Sequence, residues 1–398
     1  MIPIALLVDA PPVPVAVTVA APRRPVISSP APREISFGRI TGRAFAGTTR
    51  VNVVVAGRIR ASKYITGPAR FSFAVQLPPR MINVKVVAVN AAGDRSSSTV
   101  PNVRGLPLPS EPGVLRPTTE DGVLARKLRT LARNFPGTAA VYVQDLQTGR
   151  GAAWNARARF PAASTLKLPI AIEVLRTLGS RPSAGSSLDR LLWSMLVYSS
   201  NEAANSLLVW LGGSTSSGAY RVNALMNSLR VRDSLMYGGY QTVIAAARPI
   251  PLQVNEQPAF GGGKYTTAWD LARLHRFVGM AARGIGPLPR TSGTFGKKDA
   301  RYLLWILAQV ADHGKLDRYL SPRATVAHKA GWIGTARHDA GVVYWQSGSF
   351  SVAVMTWNPN GVGSSSDILA GRVARIARDH FDRLRRAQSS SSSATGLT

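Results

Sequence analysis

The sequence contains no cysteine and only five histidines. Without cysteine the chain forms neither disulfides nor thiolate metal sites. Its cysteine content therefore does not indicate whether the protein works in an oxidising or a reducing compartment. The histidines include no HExxH pair of the kind that holds zinc on a helix, which disfavours a zinc enzyme. No stretch approaches the ~20 apolar residues that span a bilayer. We therefore expect no metal, no cofactor and no transmembrane segment.

Acidic residues are outnumbered by basic residues, 20 to 49, so the formal net charge is +29. Residues 1–122 contribute 15 − 6 = +9 and residues 123–398 contribute 34 − 14 = +20, so the excess is not a basic tail. A solvated basic surface explains it most simply, and attraction to an anionic cell-wall polymer, a membrane surface or nucleic acid is the alternative. Specific nucleic-acid binding is not predicted, because no aromatic-and-basic motif is present.

The first third of the chain contains a leader followed by strand patterns. Residues 1–32 are rich in Pro, Val and Ala, which predicts an extended, disordered leader or the remnant of a signal peptide. Asp9 and several prolines interrupt this apolar stretch and no basic region precedes it, so a secretory signal is incomplete as written. Residues 33–106 contain alternating segments, such as 69–75 and 82–89, between turn signals. They predict a small, all-β, immunoglobulin-like sandwich.

The remaining two thirds mix helix and strand patterns. A Pro-rich linker is predicted at 107–122, and a Ser-rich disordered tail at 387–398. Between them, residues 123–386 read as a helix, two strands, a helical block, three strands and a final helix over 364–386. Strands from both ends can join in one antiparallel sheet. The pattern therefore predicts an α+β domain with a helical subdomain inserted between the sheet halves.

The strongest chemical feature is Ser164-Thr-Leu-Lys167 at the start of a helix. A Ser and a Lys three residues apart lie on one helix face, one turn apart. A lysine whose pKa is lowered by burial or by a neighbouring cation can remove the Ser proton. The helix N-terminus also supplies backbone N–H groups where an oxyanion would form. By itself, S-x-x-K is a weak signal.

Two further motifs follow in order, Ser199-Ser200-Asn201 and Lys329-Ala330-Gly331. Together the three resemble the S-x-x-K, S-D-N and K-T-G motifs of penicillin-recognising serine enzymes. The likeness to class A β-lactamases extends to the flanking segments and covers residues 123–386. It implies a β-lactamase-like domain, in which an antiparallel sheet flanked by helices carries a helical subdomain.

The resemblance also implies roles for individual residues. Ser164 is the acylated nucleophile, Lys167 is its proton partner, and Ser199 passes a proton to the leaving group. Lys329 supplies positive charge near Ser199 and the substrate carboxylate. The implied substrate-binding residues are Asn201, through its amide, and Gly331, Trp332 and Arg337. The Trp332 backbone would complete an oxyanion hole with Ser164, and Arg337 would bind the substrate carboxylate.

Three departures from the family pattern concern the second motif, the third motif and deacylation. Ser200 stands where the family has Asp, and Ala330 replaces a hydroxyl residue that binds the substrate carboxylate. The E-x-x-L-N loop, whose Glu activates the deacylating water, is not found. Glu256, or alternatively Asp233, is the candidate for that base.

Three functions stay open from the sequence. The first is hydrolysis of a β-lactam or related amide through an acyl-enzyme at Ser164. The second is a penicillin-binding, D-alanyl-peptide cell-wall peptidase with slow deacylation. The third is an inactive wall-binding protein in which the β-sandwich is the working module. For each we expect a monomer located outside the cytoplasm, secreted or associated with the cell wall, and the first function would confer antibiotic resistance.

Overall fold

A computed structural model describes residues 20–114, 116–241, 248–254, 256–290 and 294–394. Within these ranges an N-terminal group of strands precedes a mixed region of helices and strands. No helix in the described part of the chain is long and apolar enough to cross a membrane.

The N-terminal strands form two sheets around a common apolar core. The strands are β1 (Val26–Ser29), β2 (Ile35–Ser36), β3 (Arg39–Ala44), β4 (Arg50–Val55), β5 (Arg58–Tyr64), β6 (Ala69–Ala74), β7 (Met81–Val89) and β8 (Arg95–Gly105). One sheet has the order β1-β3-β6, and the other β2-β8-β7-β4-β5. Val51 and Val53 of β4 pack in the same cluster as Phe71 and Phe73 of β6. This spacing of two is the strand period that places alternate side chains on one face.

The strongly alternating segments of this region form strands close to the predicted positions, at β6 and β7. β5 was missed because its side chains are almost all exposed, so its sequence carries no apolar alternation. β1 begins inside the predicted leader 1–32, because Val26–Ser29 pairs with β3. Residues 1–19 lie outside the described residues. The immunoglobulin-like assignment stays a prediction.

The mixed region is built on a six-stranded sheet whose central pair joins distant parts of the chain. Its strands are β9 (Thr119–Glu120), β10 (Thr138–Asp145), β11 (Arg150–Trp154), β14 (Thr325–Ile333), β15 (Ala336–Trp345) and β16 (Gly348–Trp357), in the order β14-β15-β16-β10-β11-β9. Pairing is antiparallel except between β11 and β9. β10 pairs with β16 from Thr138 opposite Trp357 to Asp145 opposite Phe350. This pairing confirms the predicted α+β architecture.

Eight α-helices surround this sheet within the described ranges. They are α1 (Gly122–Arg133), α2 (Lys167–Leu178), α3 (Ser187–Val197), α4 (Asn201–Gly212), α5 (Thr215–Ser228), α6 (Ala268–Ala281), α7 (Lys297–Leu307) and α8 (Ser364–Ala394). β12 (Phe160–Pro161) and β13 (Tyr265–Thr266) form a short pair, and 3-10 turns occupy Leu108–Ser110, Ala163–Leu166 and Leu288–Arg290.

The helices cover both faces of the sheet. α1 and α8 share one apolar cluster with the outer face of β10 and β16. Helices α2 to α7 form the inserted block on the other side. α8 continues to Ala394, past the predicted end at 386 and into the Ser-rich segment that was predicted to be disordered. The predicted linker 107–122 also contains a 3-10 turn and β9.

An ion pair joins the N-terminal strands to the helical block. Arg33 donates to both carboxylate oxygens of Asp189, with lengths of 2.8 and 2.7 Å. The Tyr302 hydroxyl donates to the same carboxylate. Nearby, the Phe37 and Tyr344 rings lie 5.8 Å apart between centroids. The two regions of the chain therefore share buried contacts rather than being tethered only by a linker.

Candidate active site

Ser164 lies in the 3-10 turn that leads directly into α2. Ala163, just before it, has a φ of +47°, a left-handed conformation that non-glycine residues seldom adopt. The turn is held by the Thr165 hydroxyl, which donates to Ala162 O at 2.6 Å, and by Ala162 N, which donates to Lys264 O at 2.8 Å. Leu166 and Leu168 are buried and anchor the turn in the core. The half-exposed Ser164 is thereby presented next to the buried Lys167.

The Lys167 amine is buried and bonded to uncharged oxygens. Nζ donates to Ser199 O at 2.5 Å and to Asn201 Oδ1 at 2.7 Å. Among the described residues, no carboxylate forms an ion pair with it. Burial, reinforced by the nearby Lys329 ammonium, lowers the pKa of Lys167 to about 7, while Glu202 acts weakly in the opposite direction. Lys167 is therefore neutral in a large fraction of molecules at neutral pH.

The second motif forms a strained corner between α3 and α4. Ser199 has a φ of +59°, and this turns its carbonyl and hydroxyl toward the two lysines. Ser200 caps α4 by accepting from Ala203 N at 3.0 Å, and its hydroxyl donates to Glu202. Ser200 thus performs the N-capping that an Asp also performs, so this departure from the family pattern leaves the corner intact.

Lys329 reaches the same serine from the sheet. Its Nζ donates to Ser199 Oγ at 3.0 Å and to Ala330 O at 2.8 Å, whereas Lys167 Nζ is 3.4 Å from Ser199 Oγ. Burial lowers the pKa of Lys329 to about 8, although the Asp312 and Asp339 carboxylates oppose the shift. Because Ser199 Oγ accepts from lysine, its own O–H is available to donate to a substrate atom.

Gly331 brings β14 against the start of the nucleophile helix. A Cβ on Gly331 would lie 2.7 Å from Ser164 N and 2.8 Å from Thr165 N, closer than real side chains come. Only a glycine therefore allows this approach. The next residue, Trp332, is 61% exposed and directly follows the glycine that approaches Ser164 N. Two backbone N–H groups on adjoining segments are the arrangement that stabilises an oxyanion.

The remaining predicted residues lie elsewhere. Arg337 donates through Nε and Nη2 to Asp367 of α8 at 2.7 and 2.8 Å, so its guanidinium is already engaged by a carboxylate. Glu256 is exposed and makes no hydrogen bond or ion pair with the described part of the chain. Asp233 pairs with Arg157 at 2.8 Å and with Arg159 at 3.4 Å. Neither acid contacts Lys167 or Lys329. The structure therefore does not bring a predicted deacylation base to Ser164.

Two histidines near the motifs have structural hydrogen bonds. His338 Nε2 donates to Pro161 O at 2.7 Å, and its Nδ1 accepts from Thr356 N at 3.2 Å. His328 Nδ1 lies 2.8 Å from Asp339 Oδ1. His338 thus holds β12, the strand that leads into the nucleophile turn.

Sequence reasoning did not place Tyr240, which lies over the Lys167 amine. The Tyr240 ring centroid is 4.6 Å from Lys167 Nζ, a cation–π distance. Asn205 of α4 clamps the Tyr240 backbone by donating to its O at 3.0 Å and accepting from its N at 2.7 Å. The buried phenol oxygen has no hydrogen-bond partner in the described structure. The available signal was the Tyr237-Gly-Gly-Tyr240 loop, which turn chemistry explains equally well.

A cavity of about 680 Å³ opens beside this tyrosine, and we call it the groove. Its lining includes Ala163 and Ile333 together with Tyr220, Tyr237 and Tyr240. Lys264 enters it, and its Nζ donates to Gly239 O at 2.6 Å. The groove offers an amide substrate a largely apolar and aromatic surface next to Ser164.

Known proteins share this fold and sequence pattern. The sequence profile of the Beta-lactamase enzyme family matches residues 123–184 and 179–381. Among solved structures, PBP-A has a TM-score of 0.54 and 22% identity, covering 68% of this chain and 100% of its own. The β-lactamase from Streptomyces albus G has a TM-score of 0.52 and 20% identity, covering 65% and 99%.

A single-residue mutant of PBP-A, solved as an acyl-enzyme complex with penicillin G, has a TM-score of 0.52 and 23% identity, covering 68% of this chain and 100% of its own. At these identities the solved structures show a shared fold. Among curated proteins, no sequence matches this chain significantly.

Proposed function

The chain belongs to the Beta-lactamase enzyme family, a family of serine hydrolases that act on amide bonds, and on this premise we propose that Ser164 forms a slowly released acyl-enzyme. The substrate class is a β-lactam or a D-alanyl peptide of the cell wall. The observation that carries the proposal is the convergence of Lys167, Ser199 and Lys329 beside Ser164, with Tyr240 over the Lys167 amine.

Acylation uses the neutral form of Lys167. A neutral amine has two N–H groups and one lone pair, and the two short bonds to Ser199 O and Asn201 Oδ1 use both N–H groups. The lone pair then accepts the Ser164 proton as Oγ bonds to the carbonyl carbon. The backbone N–H groups of Ser164 and Trp332 stabilise the oxyanion. The C–N bond breaks as the Ser199 hydroxyl donates its proton to the leaving nitrogen and regains one from Lys167.

Deacylation lacks a carboxylate base in this arrangement. Tyr240, held by Asn205, occupies the space over Lys167 with an aromatic ring and a phenol rather than an acid. Residues 242–247, which follow in the sequence and lie outside the described structure, contain no Asp or Glu. Neutral Lys167 is then the base that remains for activating water. We therefore place the chain with the penicillin-binding, peptidase-like alternative rather than with rapid β-lactam hydrolysis.

Substrate recognition follows from the groups that are not already engaged. Asn201 has used its oxygen on Lys167, so its amide N–H groups can donate to a substrate carbonyl. Ala330 brings no hydroxyl and Arg337 is bound to Asp367, so a substrate carboxylate relies on the Lys329 charge. Both substrate classes are encountered outside the cytoplasm, and we accordingly propose an extracytoplasmic location.

The decisive experiment is intact-protein mass spectrometry after exposure to penicillin G. We expect one penicilloyl adduct, mapped to Ser164 and lasting many minutes, and none in Ser164→Ala. Rapid nitrocefin turnover without an adduct would instead favour the β-lactamase alternative. If the folded protein neither acquires an adduct nor turns over substrate, the proposal is wrong, and the inactive wall-binding alternative gains support.

A paired substitution tests the part assigned to Tyr240. Tyr240→Glu places a carboxylate beside Lys167, and we expect a shorter penicilloyl lifetime. Tyr237→Glu is the matched control, because the Tyr237 ring lies 5.7 Å from Lys264 Nζ and makes no such contact with Lys167. Equal lifetimes in Tyr240→Glu and the parent protein would contradict the assignment.

A further inference from the structure

A second cavity, of about 690 Å³, shares no lining residue with the groove. Five arginines line it, and we call it the arginine cavity. Asp233 is the single acid among its described lining residues. The arginines are Arg157, Arg230, Arg232, Arg273 and Arg276. No step of the proposed acylation uses any of them.

Secondary structure holds several of these groups in place. Trp269, Arg273 and Arg276 are spaced four and three residues apart on α6 and so share one helix face. Arg273 Nη1 donates to Arg230 O at 2.8 Å, which ties α6 to the segment after α5. The Arg157 guanidinium lies 4.3 Å from the Trp269 ring centroid. Arg157 and the two α6 arginines are therefore preorganised, whereas Arg230 and Arg232 are exposed at the edge of the cavity.

The lining carries an uncompensated positive charge. Five arginines and one aspartate give 5 − 1 = +4. Burial lowers the pKa of Arg276, and the neighbouring Arg273 adds to that shift. Arg276 Nε is buried without a hydrogen-bond partner in the described structure. Asp270 of α6 lies 3.9 Å from Arg273 Nη1 and offsets one of these charges, so an excess of about 4 − 1 = +3 remains. An anion inside the cavity would supply the missing negative charge and accept from the exposed guanidinium groups.

We propose that the arginine cavity binds an anion with two phosphate groups, as a free diphosphate or as adjacent phosphates of an anionic polymer. A terminal phosphate group carries a charge of about −1.5 to −2 and three acceptor oxygens, so a free diphosphate comes close to the lining charge. Adjacent phosphates of a polymer carry one charge each and compensate part of it. Guanidinium forks bind phosphate through paired, parallel hydrogen bonds. Carboxylates carry a single charge each and match less well.

The test is isothermal titration calorimetry of the full chain with pyrophosphate. The variant is Arg230→Gln/Arg232→Gln, since both side chains are exposed and neither guanidinium bonds to the described protein. The control is Arg372→Gln/Arg383→Gln on α8, which removes the same charge from exposed sites. Loss of one charge-assisted bond alone predicts at least a ~10-fold weaker Kd in the cavity variant. We expect less than a twofold change in the control.

Two further ligands identify the chemistry and its source. Citrate has a net charge close to that of pyrophosphate but carries it on carboxylates, and equally tight citrate binding would overturn the phosphate assignment. A glycerol phosphate polymer that displaces pyrophosphate points to polymer phosphates, whereas failure to compete points to a free diphosphate. Absence of saturable pyrophosphate binding, or equal weakening in both double variants, would overturn the site itself. Ser164→Ala should bind normally, so this outcome is independent of the proposed acylation.

Discussion

Lys167 is a buried amine whose two shortest hydrogen bonds go to uncharged oxygens. An ammonium in such a place loses hydration without gaining a carboxylate, and a second cation nearby adds repulsion. A lowered pKa is the physical consequence, and it gives the nucleophile a base near neutral pH. The Tyr240 ring also faces this amine, with its centroid 4.6 Å from Lys167 Nζ.

The pH dependence of acylation tests this environment. The pKa of Lys167 is lowered to about 7, and only its neutral form accepts a proton, so acylation should rise as the pH increases through about 7. The pKa of Lys329 is lowered to about 8, so recognition of the substrate carboxylate should fall above about 8. The measurement is the penicillin G acylation rate from pH 5 to 10. A flat profile between pH 6 and 8 would contradict the role of Lys167.

The Asn205 clamp on Tyr240 should be visible in stability. Asn205→Ala removes both hydrogen bonds to the Tyr240 backbone and leaves those groups unpaired. We expect a loss of about 1–3 kcal/mol in the free energy of unfolding, measured by denaturant titration. Ser206→Ala, at an exposed neighbouring position, is the control and should change it by less than about 0.5 kcal/mol. Equal stability in both variants would show that the two Asn205 hydrogen bonds make no measurable contribution to the free energy of unfolding.

At the level of elements, the site depends on the approach of β14 to the 3-10 turn before α2. Ser164, Ser199 and Lys329 lie on three separate segments: the 3-10 turn, the corner between α3 and α4, and β14. The close approach of Gly331 to Ser164 N fixes β14 against the turn. The left-handed residues Ala163 and Ser199 sit at two of these junctions. Strain of this kind persists only where surrounding packing compensates for it.

Gly331→Ala probes that approach. The added Cβ would lie 2.7 Å from Ser164 N, so β14 or the turn must shift and the oxyanion site is disturbed. Loss of one oxyanion donor costs about 10²- to 10³-fold in rate, and we expect acylation to fall by a similar factor. Gly334→Ala is the control on the same hairpin, because nothing lies within 4 Å of its added Cβ. An unchanged acylation rate in folded Gly331→Ala would argue against this oxyanion site.

On the scale of the whole molecule, the ion pairs that the N-terminal region forms with the rest of the chain differ in burial. Arg33 and Asp189 have side chains that are 19% and 7% exposed, and the Tyr302 hydroxyl shares the carboxylate. The Arg39–Glu111 pair is far more open, with Arg39 57% exposed. Exposed pairs contribute little because water and salt screen them, whereas removing one partner of a buried pair leaves a desolvated charge.

Arg33→Ala and Arg39→Ala should therefore differ sharply. We expect Arg33→Ala to lower the free energy of unfolding by about 3–5 kcal/mol, because the buried Asp189 carboxylate loses its cation and keeps only the uncharged donors Tyr302 and Gly185. Arg39→Ala, the matched arginine at an exposed pair, should cost about 0–1 kcal/mol. Chemical denaturation of the full chain measures both. Similar losses in the two variants would mean that the N-terminal region is not anchored through Asp189.

What the sequence determined by itself was local. Apolar alternation marked β6 and β7, and S-x-x-K spacing placed Ser164 and Lys167 one turn apart, because side-chain direction repeats within a strand or helix. The order of the three motifs along the chain was enough to indicate the family. Strand alternation, motif spacing and motif order are all properties of the linear sequence, so they can be recognised without knowing which distant segments pack together.

Only the tertiary structure decided which distant groups meet. It placed Tyr240, rather than Glu256, over Lys167, engaged Arg337 with Asp367, and gathered five arginines around one cavity. These outcomes depend on how separate segments pack, and a loop with no periodicity carries no local signal of its partner. Electrostatics has the same origin, since the pKa of Lys167 is set by burial and by Lys329, which lies on a strand far along the chain.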